Sequence, residues 1–355
     1  MNKRENLISL YRRKGYEKAP VSFSLCPSLM EKYREIYGAE HTPAETFGFS
    51  SLGVQDGVLR PEDRDTSRFL RYFDALKPGA TVDVYGVGHE PGSAEAKHMT
   101  YMRNPLKKCE SVEEILAYPF PDFSRADFSH QKGQVEQIHA KGLAACGDMQ
   151  CTVWEQAWYI RGMEELMMDM LSEDEMADCI LDRVTQSAAL RAAKYAEAGC
   201  DLLFLGDDIG MQRTIMMSER LYCDYLKPRL KRVIDAARAV NPEIIVIYHS
   251  CGYVEPFIPH LIDAGIDVLN PVQPECMDFR RIHEQFGDRL SFNGTIGTQS
   301  VMPFETPDGV RRKVFENLEI AGDKGGLLAC PTHLLEPEVP WENVEAYVRA
   351  CEDFK

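Results

Sequence analysis

Basic residues are scarce in this 355-residue sequence: 40 Lys and Arg stand against 56 Asp and Glu, for a formal net charge of −16. A protein that binds nucleic acid needs clustered Lys and Arg to neutralise phosphates, so this balance argues against that class. Long apolar runs are scarce as well, and residues 244–248 form one of the longest. A membrane-spanning helix needs about 20 apolar residues. We therefore expect neither a nucleic acid nor a membrane as a partner.

Cysteines are numerous but lack a regular spacing. There are 11 of them, an odd number scattered along the chain, which argues against the framework of a disulfide-stabilised protein. The first six residues include charged ones, and the apolar segment of a signal peptide does not follow them. We expect a cytoplasmic protein whose thiols stay reduced and therefore remain available as metal ligands.

The hydrophobic pattern is typical of a parallel α/β protein, because short apolar runs alternate with amphipathic stretches of helical length. The predicted strands span residues 20–25, 142–146, 201–205, 243–248, 267–270, 289–292 and 326–329. The predicted helices span residues 172–198, 218–240, 256–264, 306–321 and 340–352. With residues 82–87 as a further strand the count approaches eight, which favours a closed (β/α)8 TIM barrel over an open doubly wound sheet.

Residues 30–142 differ from the rest, since they are rich in Pro and Gly and only weakly periodic. We interpret them as an insertion after the first strand, forming either a cap at the entrance to a cleft or an irregular surface excursion. The prediction is therefore a single barrel domain over residues 1–355 in which about residues 30–142 are irregular.

Polar residues that could take part in catalysis or bind a metal come directly after the predicted strands. They are Asp207, Asp208, His249, Cys251, Asn270, Asn293, Cys330 and His333. The carboxyl ends of the strands in a (β/α)8 barrel meet at one face, so side chains that are far apart in sequence converge there. We expect the functional site at this face.

His249 and Cys251 form the sharpest pattern among these residues. Two side chains that are two residues apart in an extended segment point to the same side, and imidazole nitrogen and thiolate sulfur are both zinc ligands. A third ligand would come from Cys330 or His333. Three protein ligands with one open position are typical of catalytic zinc. The alternative is an ordinary histidine at a strand end beside a buried cysteine.

Three carboxylates are candidates for acid–base chemistry. Asp207 and Asp208 are adjacent and repel each other, so one of them could have a raised pKa or be held by a cation. Either could also cap the next turn or helix, as is common in loops that follow strands. Glu155 lies in the aromatic segment 154–162 and could reach a metal or a proton. The alternative for that segment is a helix whose aromatic residues pack in the core.

Several segments between residue 154 and the C-terminus carry a resemblance to a known family. They are residues 158–162, 206–210, 249–252, 264–273, 293–294 and 340–344. The chain resembles the uroporphyrinogen decarboxylase superfamily of (β/α)8 barrels, which also contains corrinoid-dependent methyltransferases. In the decarboxylases an Arg-rich loop follows the first strand, whereas residues 25–30 here contain no arginine. The sequence is more similar to the methyltransferase branch, and within it to the methyltransferase components of O-demethylase systems.

This resemblance implies a zinc ion bound by His249, Cys251 and a third residue. The family position of the third ligand falls on His333, and the nearby thiol is Cys330. It also implies transfer of a methyl group from a small methylated substrate, an aromatic methyl ether, to the cobalt of a corrinoid carried by a partner protein. Asp207, Asp208 or Glu155 would stabilise the leaving group. The residues expected to bind the substrate are Trp154, Trp158, Phe204, Asn270 and Asn293.

Three other functions remain open at this point. A thiol such as coenzyme M could accept the methyl group from the corrinoid. A tetrapyrrole could be decarboxylated without a metal. A barrel without catalytic activity could bind a tetrapyrrole or a protein partner, with any zinc purely structural.

Overall fold

The computed structural model describes residues 1–92 and 99–354. In chain order its strands are β1 (Ser51–Val54), β2 (Thr81–Val82), β3 (Gly88–Pro91), β4 (Thr100–Arg103), β5 (Ala144–Gln150), β6 (Leu202–Gly206), β7 (Ile245–His249), β8 (Val268–Asn270), β9 (Ser291–Asn293) and β10 (Leu327–Leu328). Seven of them form one parallel sheet in the order β1-β5-β6-β7-β8-β9-β10. Strands that follow one another in the chain are therefore neighbours, with helices as crossovers, which confirms the barrel-type α/β fold class.

The helices of eight or more residues are Lys3–Tyr11, Pro27–Tyr37, Ser129–Ala140, Trp154–Arg161, Met163–Leu171, Glu175–Ala198, Lys227–Arg238, Phe279–Phe286, Pro307–Ala321 and Trp341–Phe354. Shorter helical segments are Pro43–Thr46, Pro61–Arg64, Thr66–Tyr72, Val112–Ala117, Phe123–Arg125, Glu219–Leu221, the π-helical turn Tyr222–Leu226, Glu255–Phe257, Ile258–Ala264 and Val301–Phe304. No helix in the described part of the chain combines the length and the apolar character needed to cross a membrane.

Local sequence explains where the long helix Glu175–Ala198 begins and ends. The side chain of Asp174 accepts a hydrogen bond from the backbone N–H of Met176 and so caps the first turn. Gly199 ends the helix at a φ of 92°, a left-handed conformation that glycine adopts without steric cost. The helix packs Ile180 and Val184 into the core with its apolar face.

The sequence-based prediction of the first strand is only partly right. Residues 20–25 contribute one parallel bridge, between Leu25 and Leu335, beyond the end of β10. Phe23 packs on Phe49, which precedes β1, at 5.0 Å between ring centroids. The segment therefore lies between the two edge strands, β1 and β10, in the position of an eighth strand. Among residues 1–92 and 99–354 it forms only one bridge, which is too few hydrogen bonds for a regular strand.

The segment 30–142 contains more regular structure than expected. It includes β1, which pairs with β5, and the helix Ser129–Ala140 of the surrounding layer. The predicted strand at 82–87 was wrong, because β2 ends at Val82 and belongs to a separate antiparallel sheet of order β2-β3-β4. The irregular excursion thus lies between β1 and the helix Ser129–Ala140. Its role as a cap stays a prediction.

The N-terminal helix Lys3–Tyr11 lies at the end of the sheet where the strands begin. Its Leu7, Leu10 and Tyr11 are buried, and the N–H of Gly326, just before β10, donates to the Leu10 carbonyl at 2.8 Å. The opposite end, where the strands terminate, carries the polar residues singled out in the sequence.

Candidate active site

His249 and Cys251 come together at the end of β7. His249 closes the strand opposite Gly206 of β6, and the Sγ of Cys251 lies 3.4 Å from His249 Nε2. Gly252 then turns the chain with a φ of 84°, and a Cβ there would lie 2.8 Å from the Met211 carbonyl oxygen. Only glycine fits this turn, so it fixes the position of Cys251 against the neighbouring loop.

Asp208, in the loop after β6, completes a group of three possible metal donors. Its Oδ1 lies 3.6 Å from His249 Nε2 and accepts the backbone N–H of Cys251 at 2.7 Å. One donor atom from each of Asp208, His249 and Cys251 lies within 4.8 Å of the others, and among the described residues this is the group that could hold a metal ion. We call these three residues the donor group.

Asn270 orients the imidazole of the donor group. Its Oδ1 lies 2.6 Å from His249 Nδ1, while its Nδ2 donates to the backbone carbonyl of Asn293 at 2.8 Å. Because the amide oxygen faces the ring, Nδ1 carries the hydrogen, and the lone pair of Nε2 faces Asp208 and Cys251. Asn270 and Asn293, which were expected to bind substrate, are both buried, and their part in substrate binding stays a prediction.

Cys330 and His333, the two candidates for a third ligand, lie outside the donor group. Cys330 is buried, and its thiol donates to Asn293 Oδ1 at 2.9 Å. His333 is exposed, and its ring centroid is 6.3 Å from that of His249. In the described part of the chain, Asp208 rather than either candidate joins His249 and Cys251 in the group of donor atoms within 4.8 Å, and the ligand set stays a prediction.

Asp207 acts as a cap of the helix Trp154–Arg161. Its carboxylate is buried and accepts the backbone N–H groups of Val153 at 3.0 Å and Glu155 at 2.9 Å. Three successive residues at the helix start direct their N–H groups at it, because Trp154 also donates. The sequence suggested that Asp207 could cap the turn or helix that follows it, whereas the helix that it caps comes earlier in the chain.

Glu155 lies between the helix and the donor group. Its Oε2 accepts the backbone N–H of Asp208 at 3.1 Å, and its Oε1 accepts the hydroxyl of Tyr159 at 2.9 Å. Burial and the nearby charge of Asp208 raise the pKa of the Glu155 carboxyl. Glu155 thus keeps a proton to higher pH than an exposed glutamate. Sequence reasoning missed Tyr159, although its spacing of four residues from Glu155 on a helix was a usable signal.

The three aromatic candidates have different surroundings. The side chain of Trp154 is fully buried at the start of its helix. Trp158 packs edge-on against Tyr159 at 4.3 Å between ring centroids. Phe204 is half-buried on β6, with its ring centroid 6.4 Å from that of His249. Phe204 thus lies near the imidazole of the donor group.

A cleft of about 570 Å³ opens over Cys251 and His333. Loops that follow β6 and β9 face each other across it, and the side-chain amides of Gln212 and Gln299 hydrogen-bond to each other at 3.1 Å. Phe304 is 76% exposed at its edge. The cleft is large enough for a small ligand, and it gives access to the donor group.

Comparison with protein families matches residues 135–354 to the family described as uroporphyrinogen decarboxylase (URO-D). Curated relatives include the methylated-thiol–coenzyme M methyltransferase of Methanosarcina mazei, 25% identical over 206 residues, or 56% of this chain and 50% of that protein. The methylcobamide:CoM methyltransferase MtaA of Methanosarcina barkeri is 23% identical over 54% of this chain and 53% of its own. The chain thus spans about half the length of these curated relatives.

One further curated relative and one solved structure are also similar to this chain. The uroporphyrinogen decarboxylase of Thermus thermophilus is 27% identical over 52% of this chain and 50% of its own length. A solved structure described as a methyltransferase from Methanosarcina mazei matches 100% of this chain and 99% of its own, with a TM-score of 0.67 and 17% identity. That structural likeness shows the fold.

Proposed function

Because the chain belongs to the uroporphyrinogen decarboxylase (URO-D) family, we propose that it is a corrinoid-dependent methyltransferase that acts on a thiol and uses zinc. The names of two relatives refer to methyl transfer to coenzyme M, a thiol. The aromatic methyl ether expected from the sequence has no counterpart among these relatives, so a thiol takes its place here. The corrinoid would be carried by a partner protein.

The observation that carries the proposal is the donor group. Asp208, His249 and Cys251 offer a carboxylate oxygen, an imidazole nitrogen and a thiol sulfur within 4.8 Å, and zinc accepts all three kinds of ligand. Burial and the charge of Asp208 raise the pKa of the Cys251 thiol, so they disfavour its thiolate form. A bound cation would lower this pKa and stabilise the thiolate. These residues therefore fit a zinc ion, which would stabilise the reactive thiolate form of a substrate thiol.

The surrounding residues have separate tasks in this proposal. Asn270 holds the imidazole so that Nε2 faces the other two donors. Glu155, whose carboxyl pKa is raised by burial and by the charge of Asp208, lies beside the donor group and accepts the backbone N–H of Asp208. A substrate thiol would enter the cleft, which is lined in part by Cys251 and is open to solvent on its outer side. The walls of the cleft would orient this substrate and hold its sulfur near the metal donors.

A direct test combines metal analysis with a methyl-transfer assay. Purified protein should contain about one zinc per chain and should methylate thiols from methylcobalamin, as followed by the cobalamin absorption spectrum. His249→Ala and Cys251→Ala should each lower the rate by roughly 100-fold or more, because each removes a metal donor. Cys179→Ala is the matched control: it removes a half-buried cysteine on the helix Glu175–Ala198, outside the donor group, and should leave the rate unchanged.

The same assays separate the other functions. If both variants keep the full rate, the zinc proposal is wrong. Release of carbon dioxide from uroporphyrinogen in the presence of a chelator would instead support the metal-independent decarboxylase. Zinc that is bound while no substrate is turned over would support a structural role in a binding protein.

A further inference from the structure

A second group of reactive side chains lies outside the cleft, between two helical segments of the outer layer. Cys223 lies in the π-helical turn Tyr222–Leu226, and its Sγ is 3.5 Å from Nδ1 of His260 on the helix Ile258–Ala264. The other ring nitrogen, Nε2, is 3.2 Å from Oε2 of Glu219. A π-helical turn is a rare structure that occurs frequently at functional sites. Thiol, imidazole and carboxylate are thus arranged in a chain of hydrogen bonds.

We propose that Cys223, His260 and Glu219 form a thiol-modification site that reacts with disulfides of small thiols. The Glu219 carboxylate accepts only, so Nε2 of His260 carries the ring hydrogen and Nδ1 carries the lone pair. That lone pair faces the thiol and accepts its hydrogen. A nucleophile next to a base that is itself oriented by a third group is the arrangement that activates a cysteine.

The reaction is a thiol–disulfide exchange. Nδ1 of His260 takes the thiol proton as Cys223 Sγ attacks one sulfur of the disulfide. A bond forms between Sγ and that sulfur, and the sulfur–sulfur bond of the reagent breaks. The released thiolate takes the proton from His260. Cys223 is oxidised to a mixed disulfide, and half of the reagent is reduced to a free thiol.

The surroundings of Cys223 favour one class of reagent. Burial raises the pKa of the Cys223 thiol, Lys227 acts in the opposite direction, and the carboxylates of Glu219, Asp224 and Asp263 raise it further. The cysteine is therefore a neutral thiol at rest and depends on His260 for deprotonation. Arg220 pairs with Asp224 and Lys227 pairs with Asp263, so Glu219 is the carboxylate of this group that has no Lys or Arg partner within the portion of the chain that the structure describes. This one negative charge attracts a cationic disulfide and repels an anionic one. The reagent class is a small cationic or neutral disulfide.

The test uses the full-length protein with cystamine, a cationic disulfide, and mass spectrometry of peptides. Cys179 and Cys276 are internal controls, because both are half-buried and burial raises the pKa of each thiol. Cys223 should react at least about tenfold faster than either control, the gain expected from an oriented base. It should also react faster with cystamine than with dithiodiglycolate, an anionic disulfide.

A variant then isolates the base. His260→Phe keeps a ring of similar size against Tyr222, whose ring centroid lies 6.2 Å away, but it has no nitrogen. In this variant the rate at Cys223 should fall to that of the controls and rise more steeply with pH. Misfolding would show as faster labelling of Cys179 and Cys276. The proposal is overturned if Cys223 reacts no faster than the controls. It is also overturned if His260→Phe leaves the ratio of the Cys223 rate to the control rates unchanged.

Discussion

At the scale of single residues, Asn270 determines which nitrogen His249 presents to the donor group. Its amide oxygen fixes the Nδ1–H of the ring at 2.6 Å. Asn270→Ala should lower the affinity for zinc or cobalt(II) by about 10- to 100-fold, the usual effect of losing a partner that orients a metal ligand. Titration with cobalt(II), followed by its visible absorption, measures this affinity directly.

Asn317→Ala provides the matched control for that experiment. Asn317 is as deeply buried as Asn270, and its Nδ2 donates to the carbonyl of Thr295 at 3.1 Å. Both variants lose a buried amide, so both should unfold at lower denaturant concentration. Only Asn270→Ala should bind cobalt(II) more weakly. Equal affinity in the two variants would contradict the orienting role.

From the sequence we could predict which residues gather at the site more reliably than what each of them does there. The spacing of His249 and Cys251 predicted their approach, because it depends only on the local chain. The tasks of Asn270 and Asn293 depend on neighbouring strands, whose register a single sequence does not reveal. Which residue lies nearest to His249 and Cys251 depends on loop conformation, so the sequence left the role of Asp208 open between acid–base chemistry and holding a cation.

At the scale of elements, strands with continuous apolar runs were predictable and a short mixed strand was not. β7 was predicted within two residues, since its buried run of β-branched residues has no competing interpretation. β1 was missed because its sequence, Ser-Leu-Gly-Val, has no apolar run and gains its structure only by pairing with β5. Where the local sequence pattern is weak, contacts between distant segments determine whether a strand forms.

The loop after β10 makes one edge of the cleft acidic. It contributes Glu336 and Glu338, and the side chain of Glu338 is exposed. Glu338→Gln should lower the KM for an anionic thiol such as 2-mercaptoethanesulfonate by about two- to fivefold, because an exposed charge acts weakly through water and salt. The KM for a neutral thiol should stay the same. Both values come from initial rates at low ionic strength.

The control for this prediction is Glu284→Gln. Glu284 is also an exposed glutamate, but it is not among the residues that line the cleft. It should change neither KM value. If both variants shift the KM for the anionic thiol by the same factor, the effect comes from the net charge of the whole chain rather than from the edge of the cleft.

At the scale of the whole molecule, Asp201 joins the N-terminal helix to the barrel at the end opposite the cleft. Its buried carboxylate accepts hydrogen bonds from Arg4 at 2.7 Å, His139 at 2.8 Å and the backbone N–H of Ala145 at 2.9 Å. Burial acts to raise the pKa of Asp201, but these three donors outweigh it and hold the pKa below its usual value. One side chain thus links three separate elements.

This shift gives the stability of the fold a defined dependence on pH. Since the pKa of Asp201 is lower in the folded state, its contribution is complete above the unfolded pKa of about 3.9 and is lost as the pH falls through the folded pKa. Asp201→Asn should lower the free energy of unfolding by about 1–3 kcal/mol at pH 7. At pH 3 and below the difference should shrink, as measured by urea denaturation.

Asp353→Asn separates this effect from a general loss of charge. Asp353 pairs with Arg311 on the surface, where both side chains are largely exposed. Such a pair contributes at most about 1 kcal/mol, so this variant should unfold almost like the wild type at both pH values. If Asp201→Asn shows the same loss at pH 3 as at pH 7, the lost stability comes from altered packing and not from the charge. The carboxylate would then not be what fastens the N-terminal helix to the barrel.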